Sequence, residues 1–162
     1  MSLYKYDNIV DTKHPLFSAL LQRAMPFFTT GMTDERFEQL VSEGIDTIPE
    51  KFIKRLDNVA IVIADEPTRE QLSQNHVGKG STLLGLYEGI PLTKRGEYYG
   101  NGEVLPDKIT IFKNPLIAMT GHDEVALREA VRDTVWHEIA HYFGYSDMGI
   151  EMREEEGRNF SQ

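Results

Sequence analysis

The chain contains no cysteine, which removes disulfides, thiolate metal sites and cysteine nucleophiles from consideration. No apolar run approaches the roughly 18 residues that span a bilayer. The first residues, Met1 to Asp7, lack the basic-then-apolar order of a secretory signal. Basic charge is also scarce: 17 Lys and Arg face 26 Asp and Glu, for a formal net charge of −9. Phosphate backbones are held mainly by clustered Lys and Arg, so this balance disfavours nucleic acid as a partner. The expectation is a cytoplasmic protein with neither a membrane nor a nucleic-acid partner. What is there, 162 residues with 40% apolar and 27% charged side chains, is ordinary globular composition with room for one core.

Residues 1–33 read as an N-terminal extension carrying a short helix between Pro15 and Pro26, because Leu16, Phe17, Leu20, Leu21, Ala24 and Met25 recur at helical spacing. Thr33-Asp34 opens a second helix with Phe37, Leu40, Val41 and Ile45 on its apolar face. The continuous, β-branched run Val59 to Ala64 predicts a strand covered on both sides. Asp65 to Ser81 is polar and reads as loop. Leu83 to Tyr87 predicts a second strand, and alternating Lys108 to Phe112 a third. Asn114-Pro115 begins a short helical turn. Asp123 to Phe143 is the longest helical stretch, with Leu127, Val131, Val135, Ile139 and Tyr142 in one stripe and Gly144 placed to end it. The acidic run from Glu151 to Glu156 reads as a solvated helix face within a tail, residues 151–162. The element order predicts an α+β domain over residues 34–150, a small mixed sheet packed on one long helix.

That helix carries the chemistry. It reads His137-Glu138-Ile139-Ala140-His141, followed by Gly144 and Asp147. Histidines four apart on a helix project to one side and can bind a single ion. Glu138, adjacent but offset around the helix, can reach a water without itself being a ligand. Gly144 permits a sharp turn that returns Asp147 as a third ligand. Three protein ligands leave a fourth tetrahedral position open, which is the arrangement of a catalytic zinc site rather than a structural one. The expected cofactor is therefore Zn2+ on His137, His141 and Asp147, with Glu138 as general base for hydrolysis of a peptide or protein substrate.

The sequence also resembles a known family, the bacterial minimal-zincin metallopeptidases, long catalogued as a domain of unknown function. The resemblance spans about residues 34–150. It rests on Glu35 to Val41, Asp57 to Val62, Leu84 to Leu92, Leu105 to Phe112 and the His-Glu-x-x-His-x-x-Gly-x-x-Asp motif. It implies a compact zincin-like fold, with metal ligands at His137, His141 and Asp147 and a catalytic glutamate at Glu138. Glu151, Glu154, Glu155 and Glu156 are alternative carboxylates for the third position. Met148 and Met152 follow too soon to be the downstream methionine turn of larger glycine-spaced zincins.

Other features carry less. Asp133, one turn before His137, reads as a surface carboxylate, with orientation of that ring as the alternative. His14, His76 and His122 are isolated. Tyr98 to Gly102 reads equally as a lid or an exposed loop. By analogy with other zincins, Leu83 to Tyr87 is an edge along which an extended peptide adds. Two further functions stay open. One is a metal-dependent endoribonuclease, because a bacterial rRNA-processing family shares the spacing and the Gly-Tyr pair seen at Gly144-Tyr145, although it has glycine after its first histidine and histidine as its third ligand. The other is a metal-stabilised binding module without activity.

Overall fold

A computed structural model describes residues 31–96, 99, 105–121 and 123–156, with the side chains of 154 and 155 excepted. The helix expected between Pro15 and Pro26 lies outside these residues, as does most of the Tyr98 to Gly102 stretch.

Thr33 caps α1 (Asp34–Asp46) by accepting from the Arg36 N–H, as its hydroxyl beside an acidic first turn predicts. A short α2 (Glu50–Ile53) follows Pro49, and β1 spans Val59–Ala64. The stretch read as loop contains a further helix, α3 (Arg69–Gln74), closed by a reciprocal capping box between Thr68 and Gln71. The Thr-x-x-Gln signal for it is present in the sequence. Then come β2 (Gly85–Glu88), a 3-10 turn at Leu92–Lys94, β3 (Asp107–Phe112) and α4 (Lys113–Thr120). The long helix is α5 (Glu124–Tyr142), capped by Asp123, whose carboxylate accepts from the N–H groups of Val125 and Ala126. A final helix, α6 (Asp147–Glu155), begins at the predicted third ligand and runs across the expected boundary at residue 150.

The architecture is mixed α and β, with a three-stranded sheet of order β1-β3-β2, parallel between β1 and β3 and antiparallel between β2 and β3. The strand expected to be covered on both sides is therefore an edge, with Val62 38% and Ile63 37% exposed. The central strand is β3, whose Ile109, Thr110, Ile111 and Phe112 are all buried. An apolar run reports burial of side chains on the two faces and says nothing about which neighbours complete the ladder. That order is set by the long connections. The stripe Leu127, Val131, Val135, Ile139 and Tyr142 is buried in one core with Phe37, Leu40 and Val41 of α1 and Ile109 and Ile111 of β3, so α5 lies between helix and sheet. Its apolar stripe anchors it, and the opposite flank is free to carry polar groups.

Candidate metal centre

Burial along the last two turns of α5 is complete: every residue from Thr134 to Tyr142 is buried, including His137 at 4%, Glu138 at 1% and His141 at 5% exposure. Three polar side chains in such a place require partners. One forms through the helix terminus. The Tyr145 N–H bonds the Ala140 carbonyl at 3.1 Å and the Gly144 N–H bonds the His141 carbonyl at 2.9 Å, the two bonds of a Schellman termination. Gly144 sits at φ +92, and a β-carbon there would collide with the Thr93 side chain. The turn brings the Tyr145 carbonyl to 3.0 Å from His141 Nδ1. A carbonyl only accepts, so Nδ1 carries the proton and Nε2 presents a lone pair.

That lone pair faces an anion. Asp147 Oδ1 lies 3.2 Å from His141 Nε2 and 3.5 Å from His137 Nε2. His141 Nε2 and Asp147 Oδ1 are both buried and neither makes a hydrogen bond. Two acceptors at that distance repel unless a proton or a cation lies between them. Protonation is opposed: burial, with His141 nearby, pushes His137 from 6.5 down to about 3. Burial also lowers His141, outweighing the attraction of Asp147 and the Tyr145 hydrogen bond. The donor set instead fits a metal ion. One ligand atom from each of His137, His141 and Asp147 lies within 4.8 Å of the others. Ligands about 2.0–2.2 Å from a tetrahedral zinc stand about 3.3 Å apart, close to the two distances above. Among the described residues the structure thus brings together all three predicted ligands. Glu151 and Glu156 are exposed and stand outside the group.

Glu138 is covered by β2. A β-carbon on Gly85 would lie 2.7 Å from Glu138 Cγ and 2.8 Å from its Oε1, so only glycine lets the strand pass. A glycine inside an apolar strand is the available sequence signal for such an approach, and it was not read from Leu84-Gly85-Leu86. Glu138 Oε2 is buried without a partner. Burial raises Glu138 from 4.5 to about 8, the nearby Tyr87 main chain opposing and Asp147 adding to the rise.

Of the remaining candidates, Asp133 pairs with Arg132 at 2.8 Å, and His76 is exposed at φ 53. Tyr99 stacks on the Arg95 guanidinium, 4.4 Å from the ring centre. His14 and His122 lie outside the described residues. The Tyr145 carbonyl was missed in the sequence because a main-chain ligand to a ring nitrogen carries no residue-type signal.

These pKa shifts predict the pH profile of the metal-free protein. Glu138 keeps its proton in the folded state up to about 8, whereas the unfolded chain loses it near 4.5, so its contribution to stability falls as pH rises between those values. Both histidines are lowered in the folded state and protonate near 6.5 when unfolded, so their contribution falls as pH drops below 6.5. Between 4.5 and 6.5 the His137 contribution offsets that of Glu138, and the lowered His141 tips the balance toward a rise. Stability should therefore rise toward 6.5, then fall by about 1.4 kcal/mol per pH unit toward pH 8. Urea midpoints measured in chelator from pH 5 to 8 check this, and Glu138→Gln should flatten the descending limb and steepen the ascending one.

The profile of the zincin-like metallopeptidase family matches residues 56–157, and the chain belongs to that family. No curated protein sequence matches it. Membership implies a metal, typically zinc, and a peptidase class of hydrolase. Among the described residues no helix is long and apolar enough to cross a membrane.

Proposed function

We propose that the protein is a zinc-dependent peptidase, with His137, His141 and Asp147 as metal ligands and Glu138 as general base. The observation that carries this reading is the pair of partnerless buried acceptors, His141 Nε2 and Asp147 Oδ1, 3.2 Å apart beside a second neutral imidazole. A zinc ion held there supplies Lewis acidity toward a substrate carbonyl and toward water. The chain's own groups do the rest. The Tyr145 carbonyl holds the His141 ring in the tautomer that frees Nε2. Glu138 Oε2 takes one proton from the attacking water as the new C–O bond forms, then delivers it to the amine nitrogen as the C–N bond breaks. A pKa that burial raises toward neutrality suits a group that must both accept and return a proton.

Among the described residues β2 ends the sheet, and that edge suits an extended substrate. The Phe112 N–H bonds the Leu84 carbonyl at 2.9 Å. By the antiparallel alternation, Leu86 and Glu88 then bond β3, while the main-chain groups of Gly85 and Tyr87 face away from it. A peptide adding along that edge would take main-chain bonds at Gly85 directly above Glu138.

Metal analysis of the purified chain, paired with a diverse peptide library, tests the proposal. About one zinc per chain is expected, with cleavage that chelation stops and zinc restores. A chain that binds no zinc, or that holds zinc and cleaves RNA but no peptide, would overturn it.

A further inference from the structure

A cavity of about 250 Å³ opens beside the turn that ends α5, and the mechanism above does not use it. Among the described residues, Phe52, Arg55, Thr93, Phe143, Gly144 and Tyr145 line it. Neither the four residues of the metal centre nor any residue of β2 is among them, so it lies off the peptide path along that edge. Its apolar part is an aromatic corner. The Phe52 and Phe143 rings, each 8% exposed, meet edge to face with centroids 5.3 Å apart. The volume falls below the roughly 300 Å³ at which pockets for drug-sized ligands begin, and suits one residue-sized group.

Two polar side chains share the wall. Arg55 is exposed, with its guanidinium carbon 5.2 Å from the Phe143 ring centre. Arg36, Arg95, Arg128 and Arg132 each pair with a carboxylate. Arg55 has no acidic partner among the described residues, although the chain carries 26 acidic side chains. The Thr93 hydroxyl likewise makes no hydrogen bond among them. A guanidinium over an aromatic face keeps N–H donors free at its edge, and that edge matches a carboxylate. An aromatic corner beside an unpaired cation and a hydroxyl is complementary to an apolar group that ends in a carboxylate. We propose that this pocket is a binding site, distinct from the metal centre, for an apolar residue bearing a free carboxylate. Phe52 and Phe143 take its side chain, and Arg55 and Thr93 take its carboxylate. Such a group comes from the carboxyl end of a peptide or from a free amino acid. The site adjoins the metal centre through Tyr145, whose carbonyl meets His141 Nδ1 at 3.0 Å. None of this rests on the peptidase reading.

Titration followed by nitrogen-15 NMR tests the site without any turnover. The full zinc-loaded chain is titrated with N-acetyl-L-phenylalanine, with the uncharged N-acetyl-L-phenylalaninamide and with L-phenylalanine. The acetylated acid should bind with Kd on the order of 1 mM or tighter, shifting the amides of Thr93, Gly144 and Tyr145. The uncharged amide should bind about tenfold more weakly. Arg55→Gln should weaken the acid about tenfold and erase its advantage over the amide. That variant removes an exposed guanidinium only, and the Arg55 carbonyl still accepts from the Tyr142 hydroxyl. Lys54→Gln, which removes a neighbouring surface cation, should leave the affinity unchanged. Binding should persist in chelator, because the metal centre does not line the pocket. Tighter binding of the acetylated acid than of L-phenylalanine assigns the site to a peptide end, and the reverse order to a free amino acid. Equal affinity for acid and amide, or parental affinity in Arg55→Gln, overturns the proposal. So does binding that chelation abolishes, with shifts centred on Gly85, since the carboxylate would then sit on the zinc.

Discussion

Glu138→Gln should retain zinc and lose peptide cleavage by about 10²- to 10⁴-fold in kcat, the range a positioned general base supplies. The substitution is nearly isosteric, so the tight passage of β2 over Gly85, 2.8 Å from Oε1, is preserved. The amide has no site that takes a proton from water and returns it to an amine. KM should change little. Because Glu138 is 1% exposed and keeps its proton up to about 8 in the metal-free protein, the amide also removes the unfavourable burial of an ionisable group. The variant should therefore unfold at the same or higher urea concentration than the parent in chelator at pH 8. A variant that folds, binds zinc and cleaves at the parental rate would remove Glu138 from the mechanism.

Gly144→Val should lower stability by about 2–5 kcal/mol, combining a left-handed backbone that β-branched residues avoid with overpacking. The residue sits at φ +92, and its β-carbon would meet the Thr93 side chain. The consequence for the site is specific. Gly144 and Tyr145 close the end of α5, and the Tyr145 carbonyl sets the His141 tautomer. Moving that carbonyl leaves the His141 proton unassigned and swings Asp147, the first residue of α6, away from the two rings. Zinc affinity should drop at least tenfold, within the cost of losing an outer partner of a metal ligand. Thr93→Gly together with Gly144→Ala should recover part of the stability, since it removes the collision and leaves only the backbone strain. Calorimetric unfolding with and without zinc reads both effects. Parental zinc affinity in a folded Gly144→Val chain would sever the turn from the metal centre.

Legibility in the sequence followed the range of the interactions. The α5 helix, its Asp123 cap and its glycine termination depend on residues within one or two turns, and all were readable. So were α1 and its Thr33 cap. The capping box of α3 was equally local and was passed over because polar composition around Pro67 and Gly78 suggested loop; Thr68 and Gln71 outvote that composition. The exposure of β1 departs from its expected covering for a different reason. Val59 to Ala64 is the most apolar strand, yet it lies at an edge, because β3 pairs in parallel with β1 and antiparallel with β2 through connections that composition does not constrain.

The sequence by itself determined that two imidazoles and a carboxylate share one end of one helix, since a spacing of four residues and a glycine turn act through bonds of fixed geometry. Only the tertiary structure decided what those groups experience. Burial of Glu138 beneath Gly85, the approach of Asp147 Oδ1 to both rings, and the pocket between Phe52, Thr93 and Phe143 join segments distant in the chain. Their energies come from desolvation and packing, which exist only once strands and helices have met.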